Sequence, residues 1–205
     1  MALDRSQFGL GRYVAAAVIG MLVLAVSVVL GVGVAVDQAV SADARTRAQD
    51  WAKYFVNALP DLDALLAHAE MDSRQKAVVA TAAGVGNVFR FKLYNRAGEA
   101  VLQSDSETFD EQGAQGEHLD DEAFEVAKTH QPMVSLNDGT KERGMPALYA
   151  EAYVPVLDEQ GDLRAITEAY VDETKTAAFF KTSFATLAVV LRAGIALAFG
   201  TPALA

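Results

Sequence analysis

The sequence predicts an α+β protein: an antiparallel sheet with a long N-terminal helix, flanked by two transmembrane helices. Three observations lead there. Apolar segments lie near both ends, 13–36 without a charge and 182–205 with only Arg192. A bilayer core needs roughly 20 mostly apolar helical residues, so each segment is long enough to span it. Between them, apolar residues recur first at helical spacing and then in alternation, with glycine-bearing turns between the alternating runs.

The chain divides accordingly into a cytoplasmic N-terminus (1–12), a first transmembrane helix (13–36), an extracytoplasmic domain (37–181) and a second transmembrane helix (182–205). The first apolar run is much longer than the roughly 7–15 residues of a signal peptide, so it reads as an uncleaved anchor. Arg5 and Arg12 favour a cytoplasmic N-terminus, although Arg45 and Arg47 lie close on the other side. This layout predicts a bacterial inner-membrane protein whose central domain is periplasmic. Arg192 would cost about 2.5–3.5 kcal/mol at the centre of a span. It reads either as an arginine snorkelling to a boundary or as one held at a helix–helix contact.

Composition narrows the function. The 205 residues carry a formal net charge of −10, and every acidic residue except Asp4 falls in the central domain. Such a surface repels phosphate backbones, so nucleic acid is not an expected partner. The chain has no cysteine, which removes disulfides and thiolate metal sites.

From Asp43 the apolar residues Ala44, Ala48, Trp51, Ala52, Phe55 and Leu59 follow helical spacing, with Arg45, Arg47, Asp50 and Lys53 in the gaps. Pro60 ends this helix, and Leu62 begins a shorter one. Asp72 or Ser73 caps a further helix to Ala83, which the glycines around Val85 terminate. The period then switches to two: Phe89, Phe91 and Leu93 alternate with Arg90, Lys92 and Tyr94. With the turn at Asn95–Gly98, Val88–Ser104 reads as a β-hairpin.

The polar stretch from Asp105 reads as a loop, and Asp120 or Asp121 caps a helix through Lys128. Pro132–Leu136 is a short strand. Pro146–Leu157 and Leu163–Asp172 form a second hairpin about Gly161, with Pro155 marking an edge or bulge. Glu173 opens the exit helix.

The stretch Phe89–Ser104 resembles the first central hairpin of PAS-like (PDC or CACHE) periplasmic sensor domains of bacterial receptors. Tyr153–Leu157, Gly161 and Ala169–Thr174 are similar to their closing hairpin. Asp50–Phe55, Val88–Tyr94 and the tail Phe199–Ala205 are similar to the N-terminal input regions of some GGDEF–EAL proteins, which make or degrade cyclic di-GMP. The resemblance implies a ligand-sensing input module of a transmembrane signal-transduction protein. Neither the GGDEF nor the EAL motif occurs in this chain, so a cyclic di-GMP output would lie outside it. Input to a histidine kinase or chemoreceptor is an alternative.

No recognisable catalytic motif is present, and no enzyme activity, cofactor or metal is expected. Gly84–Val85–Gly86 lacks the lysine and hydroxyl of a P-loop. His68, His118 and His130 have no partner histidine at ligand spacing. Glu117, His118, Asp120 and Asp121 match no calcium loop and read as a solvated acidic segment.

The candidate binding residues line the strands. Arg90, Lys92 and Tyr94 share one face of theirs; Tyr149, Glu151 and Tyr153 share another; Glu168, Tyr170 and Asp172 a third. If the faces coincide, cations, carboxylates and phenols surround one site. That suits a small amino acid or organic acid: Arg90 or Lys92 for the carboxylate, Glu151 or Glu168 for the ammonium, tyrosines for the body. Alternatively these are cross-strand pairs on a solvated face, and the domain is a membrane-anchored module that binds a protein and no small molecule. The stripe Ala44–Leu59 covers the sheet, and Ala44 and Ala48 are the expected contacts of a homodimer.

Overall fold

The computed structural model describes residues 5–67, 69–104 and 121–200; side chains at 5–18, 21, 22, 24, 25, 29, 191, 192 and 194–200 lie outside that description. His68, the loop with Glu117, His118 and Asp120, the side chain of Arg192 and the tail 201–205 therefore lie outside the described residues. The chain falls into two compact units, Met1–Gln38 with Ala178–Ala205, and Ala39–Ala177.

Elements follow in the order α1 (Arg5–Ala58), α2 (Leu62–Leu66), α3 (Ser73–Ala82), a 3-10 turn (Val85–Asn87), β1 (Val88–Asn95), β2 (Ala100–Gln103), α4 (Asp121–Thr129), β3 (Met133–Asp138), β4 (Leu148–Leu157), β5 (Leu163–Asp172) and α5 (Thr174–Gly200). The strands form one antiparallel sheet in the order β2-β1-β5-β4-β3. The two hairpins thus join edge to edge through β5, which pairs with its hairpin partner β4 on one side and with β1 on the other.

In the Ala39–Ala177 unit the C-terminal part of α1 covers one sheet face. Ala44, Ala48, Trp51, Ala52, Phe55 and Leu59 are buried against Phe91 and Leu93 of β1, Ala150 and Ala152 of β4, and Ala169 and Val171 of β5. The alanines on β4 and β5 keep the sheet surface low, which lets the Trp51 and Phe55 rings reach it. Trp51 stacks on Phe55 with centroids 5.0 Å apart and lies 4.8 Å from Phe91. Its indole N–H donates to the Ala82 carbonyl at 3.0 Å, which ties α3 to α1. The α3 start is closed by a capping box: Asp72 accepts from the Gln75 amide at 2.7 Å, and the Gln75 side chain accepts from the Asp72 amide at 2.9 Å. Ala44 and Ala48 are both 0% exposed inside this core, so they are spent within the chain and are not free for the dimer contact expected of them.

The turns follow their glycines. Gly98 (φ 80) closes β1 onto β2 and Gly161 (φ 90) closes β4 onto β5, both in the left-handed region that side chains avoid. Pro155 lies where β4 overruns β3, whose pairing stops at Met133 opposite Tyr153, so the proline occupies an edge position as expected.

Two expectations are corrected. Among the described residues a single stretch, Val26–Ala58 of α1, is long and apolar enough to cross a membrane, and 12% of its most apolar window is buried. Among the described residues the paired transmembrane helices expected to flank the domain are not found. The part of α5 whose side chains are described carries Lys175, Thr176, Lys181, Thr182, Ser183 and Thr186, which leaves too short an apolar run for a span. The inner-membrane placement with a periplasmic domain held between two spans is overturned with it. One apolar helix near the N-terminus, with Ile19, Val23, Val26, Leu30 and Val34 exposed, is consistent with membrane association.

Candidate functional site

The second face of the sheet carries the polar residues. Register places them side by side: Lys92 opposite Glu168 and Arg90 opposite Tyr170 across β1 and β5; Tyr153 opposite Glu168, Glu151 opposite Tyr170, and Tyr149 opposite Asp172 across β4 and β5. The expected residues Arg90, Lys92, Tyr149, Glu151, Tyr153, Glu168 and Tyr170 therefore share one face. β5 at the centre of the sheet brings them together, because it borders both β1 and β4.

Glu168 is the hub. It is 1% exposed, accepts hydrogen bonds from the Tyr94 and Tyr170 hydroxyls, and has the Lys92 ammonium 3.5 Å away. Burial raises its carboxyl above the usual range; the two phenol hydroxyls and Lys92 hold it down. The phenol of Tyr170 is raised in turn, first by burial and then by the carboxylate it donates to. Glu151 forms a second, shallower node: the Tyr153 hydroxyl donates to it at 2.8 Å and the Asn137 amide at 3.4 Å.

Beside these carboxylates lies an aromatic group. Phe89, Tyr149 and Tyr170 have centroids 6.1 Å apart in each pair. The Arg90 guanidinium sits 5.5 Å from the Tyr170 ring centroid, within cation–π range. Burial, helped by the Glu142 and Glu151 charges, raises the Tyr149 phenol, while Arg90 lowers it. Helix α4 covers part of this face over β4 and β5, where Ala123 and Val126 pack with Tyr94, Ala100, Tyr153 and Ile166.

Sequence reasoning missed two members. Strict alternation put Phe89 on the core face with Phe91, but the register shifts between Val88 and Arg90 and turns its ring to the polar side. Asn137 was overlooked; its signal is the alternation Ser135, Asn137 on β3, opposite Glu151 and Tyr149. Glu168, expected as a ligand contact, is instead sealed beneath its neighbours, whereas Arg90, Glu151 and Asn137 remain partly exposed. Among the described residues, no group of three or more acidic or histidine side chains is placed to hold a metal.

No family model matches the chain, and no curated protein does. Among solved structures it is similar to an extracellular ligand binding receptor from Desulfohalobium retbaense DSM5692, at 13% identity and a TM-score of 0.38 over 69% of this chain. The chain spans 26% of that receptor's length. A likeness this slight carries no functional argument, so the PAS-like and GGDEF–EAL resemblances rest on the residues alone.

Proposed function

We propose that the Ala39–Ala177 unit is a PAS-like ligand-sensing input module of a membrane-associated signalling protein, and is not itself catalytic. The observation that carries this reading is the polar sheet face. Two cations on β1 stand in register with β5, whose far side adjoins the Glu151 carboxylate of β4, and an aromatic group lies beside them. Arg90 and Lys92 suit a carboxylate, Glu151 an ammonium, and the rings an apolar body, so the ligand class is a small amino acid or organic acid. Glu168 acts as a positioning residue, orienting Lys92 and two phenols. Cyclic di-GMP turnover is the output that the resemblance suggests.

Thermal-shift screening of the full chain against amino acids and organic acids tests this, since only native-state binding raises the melting temperature. Arg90→Ala and Glu151→Ala weaken the binding of any hit at least tenfold without unfolding the domain. Unchanged affinity in both variants, measured by calorimetry, would remove this face from the account.

A second reading is an interaction module with no small-molecule ligand. It is favoured by Phe124, which is 62% exposed on α4. A screen without hits, together with a partner lost on Phe124→Ser, supports this second reading over the first.

A further inference from the structure

We propose that a groove on the opposite, helix-covered side of the sheet is a second binding site, for a small organic anion with an apolar body. The groove has a volume of about 460 Å³ and lies between α1, the α4–β3 connection and the outer end of β4. That volume falls within the roughly 300–1,000 Å³ of small-molecule sites.

Its construction follows from one mismatch in strand length. β3 begins at Met133, opposite Tyr153, while β4 runs on to Leu157. The overrun from Val154 to Leu157 has β5 on one side and no strand on the other. The connection His130–Gln131–Pro132 lines the groove there instead. His130 takes a left-handed backbone conformation (φ 55) as α4 ends, an arrangement that side-chain-bearing residues adopt rarely. The facing wall is one stripe of α1: Gln49, Ala52, Lys53, Val56 and Asn57, spaced as neighbours on a helix. Ala52 has the smallest side chain of these, and Val154 and Val156 line the same groove.

The chemistry of the lining selects the ligand. Val56, Val154, Val156 and Pro132 supply apolar contact. Lys53, the His130 imidazole and the side-chain amides of Gln49, Asn57 and Gln131 supply the polar groups, and no carboxylate is among the lining residues. In a chain of formal net charge −10, a groove with a lysine and no acid is complementary to an anion. Pro155 has no N–H to offer an added strand, which disfavours a peptide pairing along this edge. The site is separate from the polar sheet face, because Val154 and Val156 belong to the buried cluster under α1.

Phenylacetate is a suitable probe, titrated into the full chain and followed by ligand-observed NMR and calorimetry. Binding is expected to be saturable. It is expected to weaken at least tenfold in Lys53→Glu, at an exposed helix position whose replacement leaves the core untouched. The neutral phenylacetamide is expected to bind at least tenfold less well, and Arg90→Ala is expected to leave phenylacetate binding unchanged. The proposal is overturned by an absence of saturable binding, by binding that Lys53→Glu leaves intact, or by binding that Arg90→Ala abolishes. The last outcome would place the anion on the polar sheet face.

Discussion

Tyr94 and Glu168 are diagonal neighbours on adjacent strands, and the Tyr94 hydroxyl donates to a carboxylate that is almost wholly withdrawn from water. The carboxylate has two phenol donors and one ammonium, so each of its oxygens is engaged. Tyr94→Phe removes one donor to a buried charge. It is expected to lower stability by about 1.5–3 kcal/mol at neutral pH. The loss should shrink in acid, where Glu168 takes up a proton. Urea denaturation at both pH values checks this, and a loss independent of pH would remove the charge from the explanation.

Glu173 lies at the junction between β5 and α5. It is 0% exposed, and neither carboxylate oxygen has a hydrogen-bond partner in good geometry. Burial raises its carboxyl above the usual value; Thr176 and the Arg47 guanidinium oppose the rise, and the Asp43 and Asp172 charges add to it. A carboxyl raised by folding stabilises the native state fully below its unfolded value and loses that contribution as pH rises through the folded value. Glu173→Gln should therefore raise the melting temperature at neutral pH, with the gain vanishing as pH falls below the usual glutamate value. A gain that persists in acid would argue against a buried charge at this junction.

Trp51 joins three elements through its ring contacts with Phe55 and Phe91 and its hydrogen bond to Ala82. Trp51→Ala is expected to cost about 3–5 kcal/mol through the cavity it leaves. Trp51→Phe keeps an aromatic ring but leaves the Ala82 carbonyl unpaired, at about 1–3 kcal/mol. Equilibrium denaturation ranks the two, and equal losses would contradict separate packing and hydrogen-bond contributions.

Gly139 follows β3 at the turn toward β4. A Cβ there would lie 2.2 Å from the Pro146 carbonyl oxygen and 3.2 Å from Tyr149 Cδ1. Gly139→Ala should destabilise by about 1–3 kcal/mol, since backbone must move to admit the methyl group. It should also disturb the Tyr149 ring beside Phe89 and Tyr170. Denaturation together with near-ultraviolet circular dichroism reads both effects, and a wild-type spectrum would show that the aromatic group does not depend on this turn.

The local features of this protein were legible in its sequence. Alternation in Arg90–Tyr94, Tyr149–Tyr153 and Glu168–Asp172 assigned each side chain to a strand face, because side-chain direction reverses at every residue. Gly98 and Gly161 marked the hairpins, and the spacing from Ala44 to Leu59 marked the stripe that α1 buries. Tertiary structure decided how the two hairpins adjoin. The pairing of β5 with β1, which joins the two hairpins, set Lys92 against Glu168 and Arg90 against Tyr170, residues far apart in the chain that no local period brings together. It also turned Phe89 out of the core at a bulge, and placed Ala44 and Ala48 in the chain's own core. In each case the outcome depended on what surface a distant segment presented. A sequence period states only that a face is apolar or polar; packing determines what that face meets.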